Sequence, residues 1–395
     1  MFYICMSAQE IIVKAIEEAS SHLTEISLQI HDHPELRFQE RFASALLCGE
    51  LETRDVPVER GVGGFETAFR ARVGRSPRPA VAILAEYDAL PEIGHACGHN
   101  LICCGALGAF LGLAALEAQL PGTVAIIGTP GEEGGGGKIK LMEAGVFQNV
   151  DAAMMFHPFH QTLLYMPALA SNWIELTFYG KASHAAAAPW EGSSALSGVI
   201  QTFNLIDNAR LHFKDGTRIH GFITQGGQAV NVIPDKAQAM FSVRTPTSEY
   251  LEQVMERVLK CADAAALATN TRLEKRILPG YKSLRNNLTM ARRFGKYLED
   301  LGVTEIKETD PHEGSGSTDM GDISQILPSM HPYIAICDPV TTCHQLGFAA
   351  AAATDRAFRA MLHAAKAMAL TAYDLLTQPE LLKQVKEEFR QGRGQ

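Results

Sequence analysis

Between residues 9 and 30, apolar and charged positions recur at helical spacing, which predicts an amphipathic helix. The same pattern predicts a second helix from Gln39 to about Leu51. Ala80–Ala85 is a short, uniformly apolar run and reads as a buried strand. Residues 101–118 read as a buried helix that Asn100 could cap, and Pro121-Gly122 as a turn. Buried strands are then predicted at Thr123–Thr129 and Asp151–Phe156. This succession of strand, helix and strand suits a layered α/β domain.

The pattern changes near Ser171. Trp173–Tyr179 alternates strongly, as a half-exposed strand does. A helix is predicted at Ser193–Leu211, strands at Arg218–Thr224 and Lys236–Arg244, a helix at Tyr250–Thr269 and a strand at Thr271–Lys275. The order β-α-β-β-α-β is the ferredoxin-like motif. Helical spacing returns at Asn287–Leu301, a strand is predicted at Met330–Cys337, and two helices at Gly347–Leu375 and Pro379–Arg390. The expected organisation is an α/β/α domain in two parts, 1–171 and 281–395. A smaller ferredoxin-like α+β domain, 172–280, is inserted between them.

With 46% hydrophobic residues in 395, the chain can bury a substantial core, which sets disordered and disulfide-stapled classes aside. A net charge of −9 argues against non-specific binding to nucleic acid or to an anionic membrane. The most membrane-like run, the fifteen uncharged residues Leu101–Ala115, is too short to span a bilayer. The opening MFYICMSAQE lacks the basic region of a signal peptide. Eight sparse cysteines fit a reducing, cytoplasmic compartment.

Polar residues cluster just after predicted strands, where open α/β sheets place their sites. Cys97 and His99, two apart on a loop, can aim thiolate and imidazole at one divalent ion. Glu132 and Glu133 follow another strand; one can bind metal while the other takes a proton from water. His157 and His344 lie at two further junctions. Singly, each has a structural alternative: a core histidine, a solvated turn, a fortuitous neighbour such as Cys343. Four strand ends with metal-competent residues favour a metallohydrolase. The glycine run before Lys138 is not a phosphate loop, because Glu132 stands where the first glycine is needed and Ile139 replaces the hydroxyl residue.

AEYDALP with GHACGHN, GTPGEEGGGGK, the MFHP stretch, GKASHA, NVIPD and CHQLG, in this order, resemble the M20 metallopeptidase family over essentially its whole length. GEEGGGGK and GSTDMGD resemble its aminobenzoyl-glutamate hydrolase and Xaa-Arg dipeptidase branch. The resemblance implies two divalent ions, zinc with manganese or another ion as alternatives, on Cys97, His99, Glu133, His157 and His344. Cys97 takes the place where many relatives have a bridging aspartate, and Asn100 the place of an aspartate. Glu132 matches the general base, and Asp88 a residue that orients a ligand imidazole. His184 matches a histidine that meets the developing oxyanion in the partner subunit, and Asn231 and Arg244 match residues that hold the substrate carboxylate. The implied substrate is a dipeptide or N-acyl amino acid with a free carboxylate, the dipeptide ending in Lys, Arg or ornithine, or aminobenzoyl-glutamate. The implied assembly is a homodimer through the inserted domain. Glu313, Asp319 and Asp322 are candidates for an acidic specificity pocket. The rival readings are a single-metal amidohydrolase or carbamoylase-type enzyme, a metal-binding regulator, and a structural protein.

Overall fold

The computed structural model describes residues 6–310 and 316–392. The chain divides into two compact units. The first takes in Met1–Met166, Arg285–Gly314 and Asp322–Gln395; the second takes in Pro167–Leu284 and Ser315–Gly321.

The first unit is built on a six-stranded sheet in the order Val58–Arg60, Phe69–Gly74, Thr123–Gly128, Ala80–Ala85, Ala152–Met154, Ser329–Met330. The last four strands in this order run parallel, and every residue of Ala80–Ala85 is buried, as two covered faces require. Helices Ala8–Glu18, Ser20–Asp32, His99–Ala114 and Asp355–Thr377 pack together beside it. The helix predicted over 9–30 is interrupted at Ala19. The one predicted over 347–375 breaks before Asp355, where the Thr354 side chain accepts the Ala357 N–H and starts a new helix. Gly98, not Asn100, caps His99–Ala114. Asn100 instead ties helices together through Ser27 Oγ (3.0 Å) and the Ala352 carbonyl (3.1 Å).

Two stretches of chain, 152–159 and 329–335, each serve two sheets. Ala152–Met154 and Ser329–Met330 pair in the large sheet, while His157–Phe159 and Tyr333–Ala335 pair in a second sheet with Thr162–Leu163 and Ile306–Lys307. Pro332 lacks the N–H that would continue a ladder, so the crossing falls there and at Met155-Phe156. His157 and His331 stand at this crossing.

In the second unit the predicted order is observed. The antiparallel sheet runs Arg272–Leu278, Ala170–Tyr179, Lys236–Thr245, Arg218–Gln225, with helices Ala195–Ala209 and Ser248–Ala268 on it. Alternate residues of Lys236–Thr245 are buried, and the inward set includes Ala237, Ala239, Phe241 and Val243. This unit closes on itself where the Leu284 N–H meets the Ala168 carbonyl (3.1 Å). The first unit is stitched at the same point in sequence, by Asn286 Nδ2 on the Met166 carbonyl (3.1 Å).

Candidate metal centre

His99 opens a helix from Gly98, whose φ of +73° and contact with Pro158 (3.0 Å from an added Cβ) leave no room for a side chain. Buried His99 directs Nδ1 at the Asp88 carbonyl (2.8 Å) and carboxylate (3.2 Å). Both partners are acceptors, so Nδ1 carries a proton and Nε2 faces the other way. The second oxygen of Asp88 accepts the Glu133 N–H (2.9 Å), so one carboxylate sets both segments. His157 likewise directs Nδ1 at the Pro158 carbonyl (2.6 Å), which frees its Nε2. His344 has φ +65°, and its N–H is pinned to the Ala96 carbonyl (2.9 Å). Its Nε2 lies 3.0 Å from Cys97 Sγ and 3.8 Å from Glu133 Oε1.

These donors converge in three overlapping trios: Cys97, His99 and His157; Cys97, Glu133 and His344; His99, Glu132 and Glu133. Within each, the candidate donor atoms lie within 4.8 Å of one another. Cys97, His99 and Glu133 each belong to two trios, so the groups overlap as the donors of two neighbouring ions would. His99 Nε2 and Glu133 Oε1 are buried with no hydrogen-bond partner, the state expected of atoms awaiting a cation. Burial pushes His99 down, yet Glu86, Asp88 and Glu133 outweigh it and lift its pKa well above 6.5; the pocket demands positive charge. Burial dominates at His157 and lowers it to about 4. Sulfur, imidazole and carboxylate donors in this arrangement fit divalent metal ions.

The Glu132-Glu133 loop is held from outside. The Gly131 N–H donates to Glu40 Oε1 (2.8 Å), and Arg37 donates to the Glu133 carbonyl (3.0 Å). Glu40 also accepts from the Phe38 N–H and Thr67 Oγ1. Burial raises its pKa to about 7, with Asp88 adding to the rise against these hydrogen bonds.

Sequence reasoning passed over four neighbours. Glu86 precedes Asp88 by two residues and is fully buried with Lys138. His331 is buried with both ring nitrogens unpartnered, its ring 5.6 Å from that of His157. Cys343 is no fortuitous neighbour, since it lies near enough to Cys97 to help push that thiol's pKa up. The spacing of Glu86 and Asp88 was a usable signal; nothing marked His331.

His184, Asn231 and Arg244 lie in the second unit. His184 and Asn231 are exposed on two segments that pair through the His184–Val232 bridge and the Ala185 N–H on the Asn231 carbonyl (3.0 Å). The His184 Nδ1 accepts the N–H groups of Ala186 and Ala187, leaving Nε2 outward. Arg244 stands at the opposite end of the sheet, in register with Ser171. Glu313 lies outside the described residues; Asp319 and Asp322 are buried and fall in different units.

The family described as "Peptidase dimerisation domain" matches residues 170–270. The mouse Xaa-Arg dipeptidase is 38% identical over 390 residues, covering 95% of this chain and 90% of its own. One of the subunits of the Escherichia coli p-aminobenzoyl-glutamate hydrolase is 30% identical, covering 95% and 94%. The crystal structure of a dinuclear metal-binding peptidase of the M20 family from Bacillus subtilis superposes with a TM-score of 0.72 at 23% identity, over 91% of this chain and 99% of that one. With the motifs in order, their donors converged and relatives this similar over nearly the whole chain, the protein is a hydrolase and belongs to the M20 metallopeptidase family.

Proposed function

We propose that the chain is a metal-dependent dipeptidase that cleaves dipeptides with a free C-terminal carboxylate and a basic C-terminal residue, Arg, Lys or ornithine. The overlap of the three donor trios, two of which share Cys97 while the third brings in Glu132, carries this reading. Similarity to Xaa-Arg dipeptidase supports the basic residue, and similarity to p-aminobenzoyl-glutamate hydrolase keeps that substrate, with N-acyl amino acids, as the alternative.

Cys97, His99 and His157 would hold one ion, and Cys97, Glu133 and His344 a second. The thiolate and three imidazoles suit zinc, with manganese as the alternative. Ions held there supply Lewis acidity toward a carbonyl oxygen and a water molecule. Glu132 takes the proton of the attacking water and returns it to the leaving amine. Asp88 fixes the imidazole of His99 and the Glu133 backbone. His184 Nε2 meets the developing negative charge, Asn231 binds the substrate's carboxylate end, and the planar fork of Arg244 grips that carboxylate.

Eight residues of extended strand separate Lys236 from Arg244, about 26 Å at roughly 3.3 Å per residue. His184 and Asn231 belong to the Lys236 end. One inserted unit therefore cannot present all three to one dipeptide, which supports a homodimer in which two copies share the work. No helix among the described residues is long and apolar enough to cross a membrane. The described cysteines are all unpaired, which supports a reducing, cytoplasmic setting.

The decisive measurement is a panel of β-alanyl-lysine, β-alanyl-lysinamide, N-acetyl amino acids and aminobenzoyl-glutamate, with elemental analysis of the purified protein. The reading expects fastest turnover of the basic dipeptide and at least a tenfold loss with the amide. Equal rates on acid and amide would remove the carboxylate clamp.

A further inference from the structure

Lys138 is fully buried, and its Nζ lies 2.5 Å from Glu86 Oε2; Glu86 is buried as completely. The proposed reaction uses neither residue. Lys138 reaches the interior because its helix starts tight against the preceding loop: a Cβ on Gly137 would lie 1.6 Å from the Pro130 carbonyl oxygen.

The other oxygen, Glu86 Oε1, lies 3.3 Å from His99 Nε2. This is not a hydrogen bond, for His99 Nε2 has no hydrogen-bond partner. It is, however, the separation that two donors on one tetrahedral ion would have, although Glu86 as it stands belongs to none of the trios. Bonds of about 2.0–2.1 Å at the tetrahedral angle put nitrogen and oxygen about 3.3 Å apart. Cys97, His99 and His157 already make a trio. A fourth protein donor would close the site, whereas catalytic ions keep a position open for water or substrate.

We propose that Glu86 is a latent fourth donor beside the Cys97–His99–His157 trio, and that Lys138 is a positioning residue that holds it back. The lysine does this by engaging the carboxylate's charge and its second oxygen. The position for water and substrate then stays open, while the acidic wall that attracts the cation is kept. The inference rests on the two-ion reading above and adds a device to it.

Zinc-loaded wild type, Lys138→Met and the electrically neutral double variant Lys138→Met/Glu86→Gln test the inference. Metal loss to a chromogenic chelator is timed, and kcat is measured on β-alanyl-lysine. Lys138→Met should release zinc at least tenfold more slowly and lose at least tenfold in kcat. The double variant should return toward wild type in both, a rescue that a merely structural lysine would not give. Faster zinc loss in Lys138→Met overturns the inference. So does a double variant that releases zinc more than tenfold faster than wild type, since Glu86 would then already be a donor. This second comparison stands even if Lys138→Met fails to fold. A wild-type protein that binds no divalent ion would instead sink the metal-site reading itself.

Discussion

The two units carry their candidate residues in opposite ways. In the first, Cys97 and His99 are buried, His157 and Glu133 partly so and His344 exposed, and most of them are aimed by others: Asp88 orients His99 and Glu133, and Pro158 orients His157. In the second, His184 and Asn231 sit on the surface, held mainly through their own backbone neighbours. The contrast follows from the tasks. A cation needs several donors fixed to within a fraction of an ångström, which only packed elements provide. A substrate must arrive and leave, so the groups proposed to meet it stay open to solvent. Damage to the metal donors of the first unit, or to the groups that aim them, should therefore register as metal lost, and damage to the second unit as rate lost with metal retained.

The sharpest break is Glu132→Gln, which keeps the shape and removes the base. It should lower kcat by about 10²–10⁴-fold with metal content intact, read by elemental analysis beside turnover. Arg244→Ala in the second unit should lower kcat/KM on a dipeptide by roughly 10–100-fold, as expected for a lost charged hydrogen bond, and leave the metal content alone. If metal were lost as well, the division between the units would fail. Asp88→Asn should do the reverse and weaken metal binding by about 10–100-fold, measured by competition with a chelator.

The smallest expected change is in stability rather than turnover. Glu40, raised by burial to about 7 from 4.5, favours the fold in its protonated form. Its contribution is complete below about pH 4.5 and is lost as pH rises to about 7, a swing of order 3 kcal/mol at most. Glu40→Gln can still accept from Phe38 and Gly131, while the Thr67 hydroxyl turns to accept from it. The metal-free variant should then match wild type at pH 4.5 and melt higher at pH 8. A gap of equal size at both pH values would place the effect elsewhere.

Where chemistry and pattern coincide, the sequence was readable. Buried strands ended at Ala85, Gly128 and Met154, and the donors followed them. The inserted unit was readable because its strands alternate, and one face of each packs under helices. Strand Phe69–Gly74 escaped because FRARVG intersperses arginines, of which Arg72 is exposed, in the antiparallel part of the sheet. The break before Asp355 was hidden in an alanine run with no proline or glycine, although Thr354-Asp355 is a cap signal. His331 gave no warning, since only the crossing between two sheets brings it against His157. Lys138 was dismissed with the phosphate loop, and its burial could not be foreseen from a glycine-rich neighbourhood.

The stitch at Met166 and Asn286 has a consequence for how the chain assembles. For the first unit, the excursion of roughly 120 residues is a loop that must close before its C-terminal helices can dock. Closing a floppy loop of that length costs about 3 to 4 kcal/mol more than closing a two-residue one. The excursion carries its own core, and its two ends meet at Ala168 and Leu284. Once it has collapsed, the rest of the protein sees only a short hairpin. During synthesis the middle of the polypeptide can thus finish early and hand its flanks to each other, so that lesions in that core would slow maturation of the donor residues carried by the other unit.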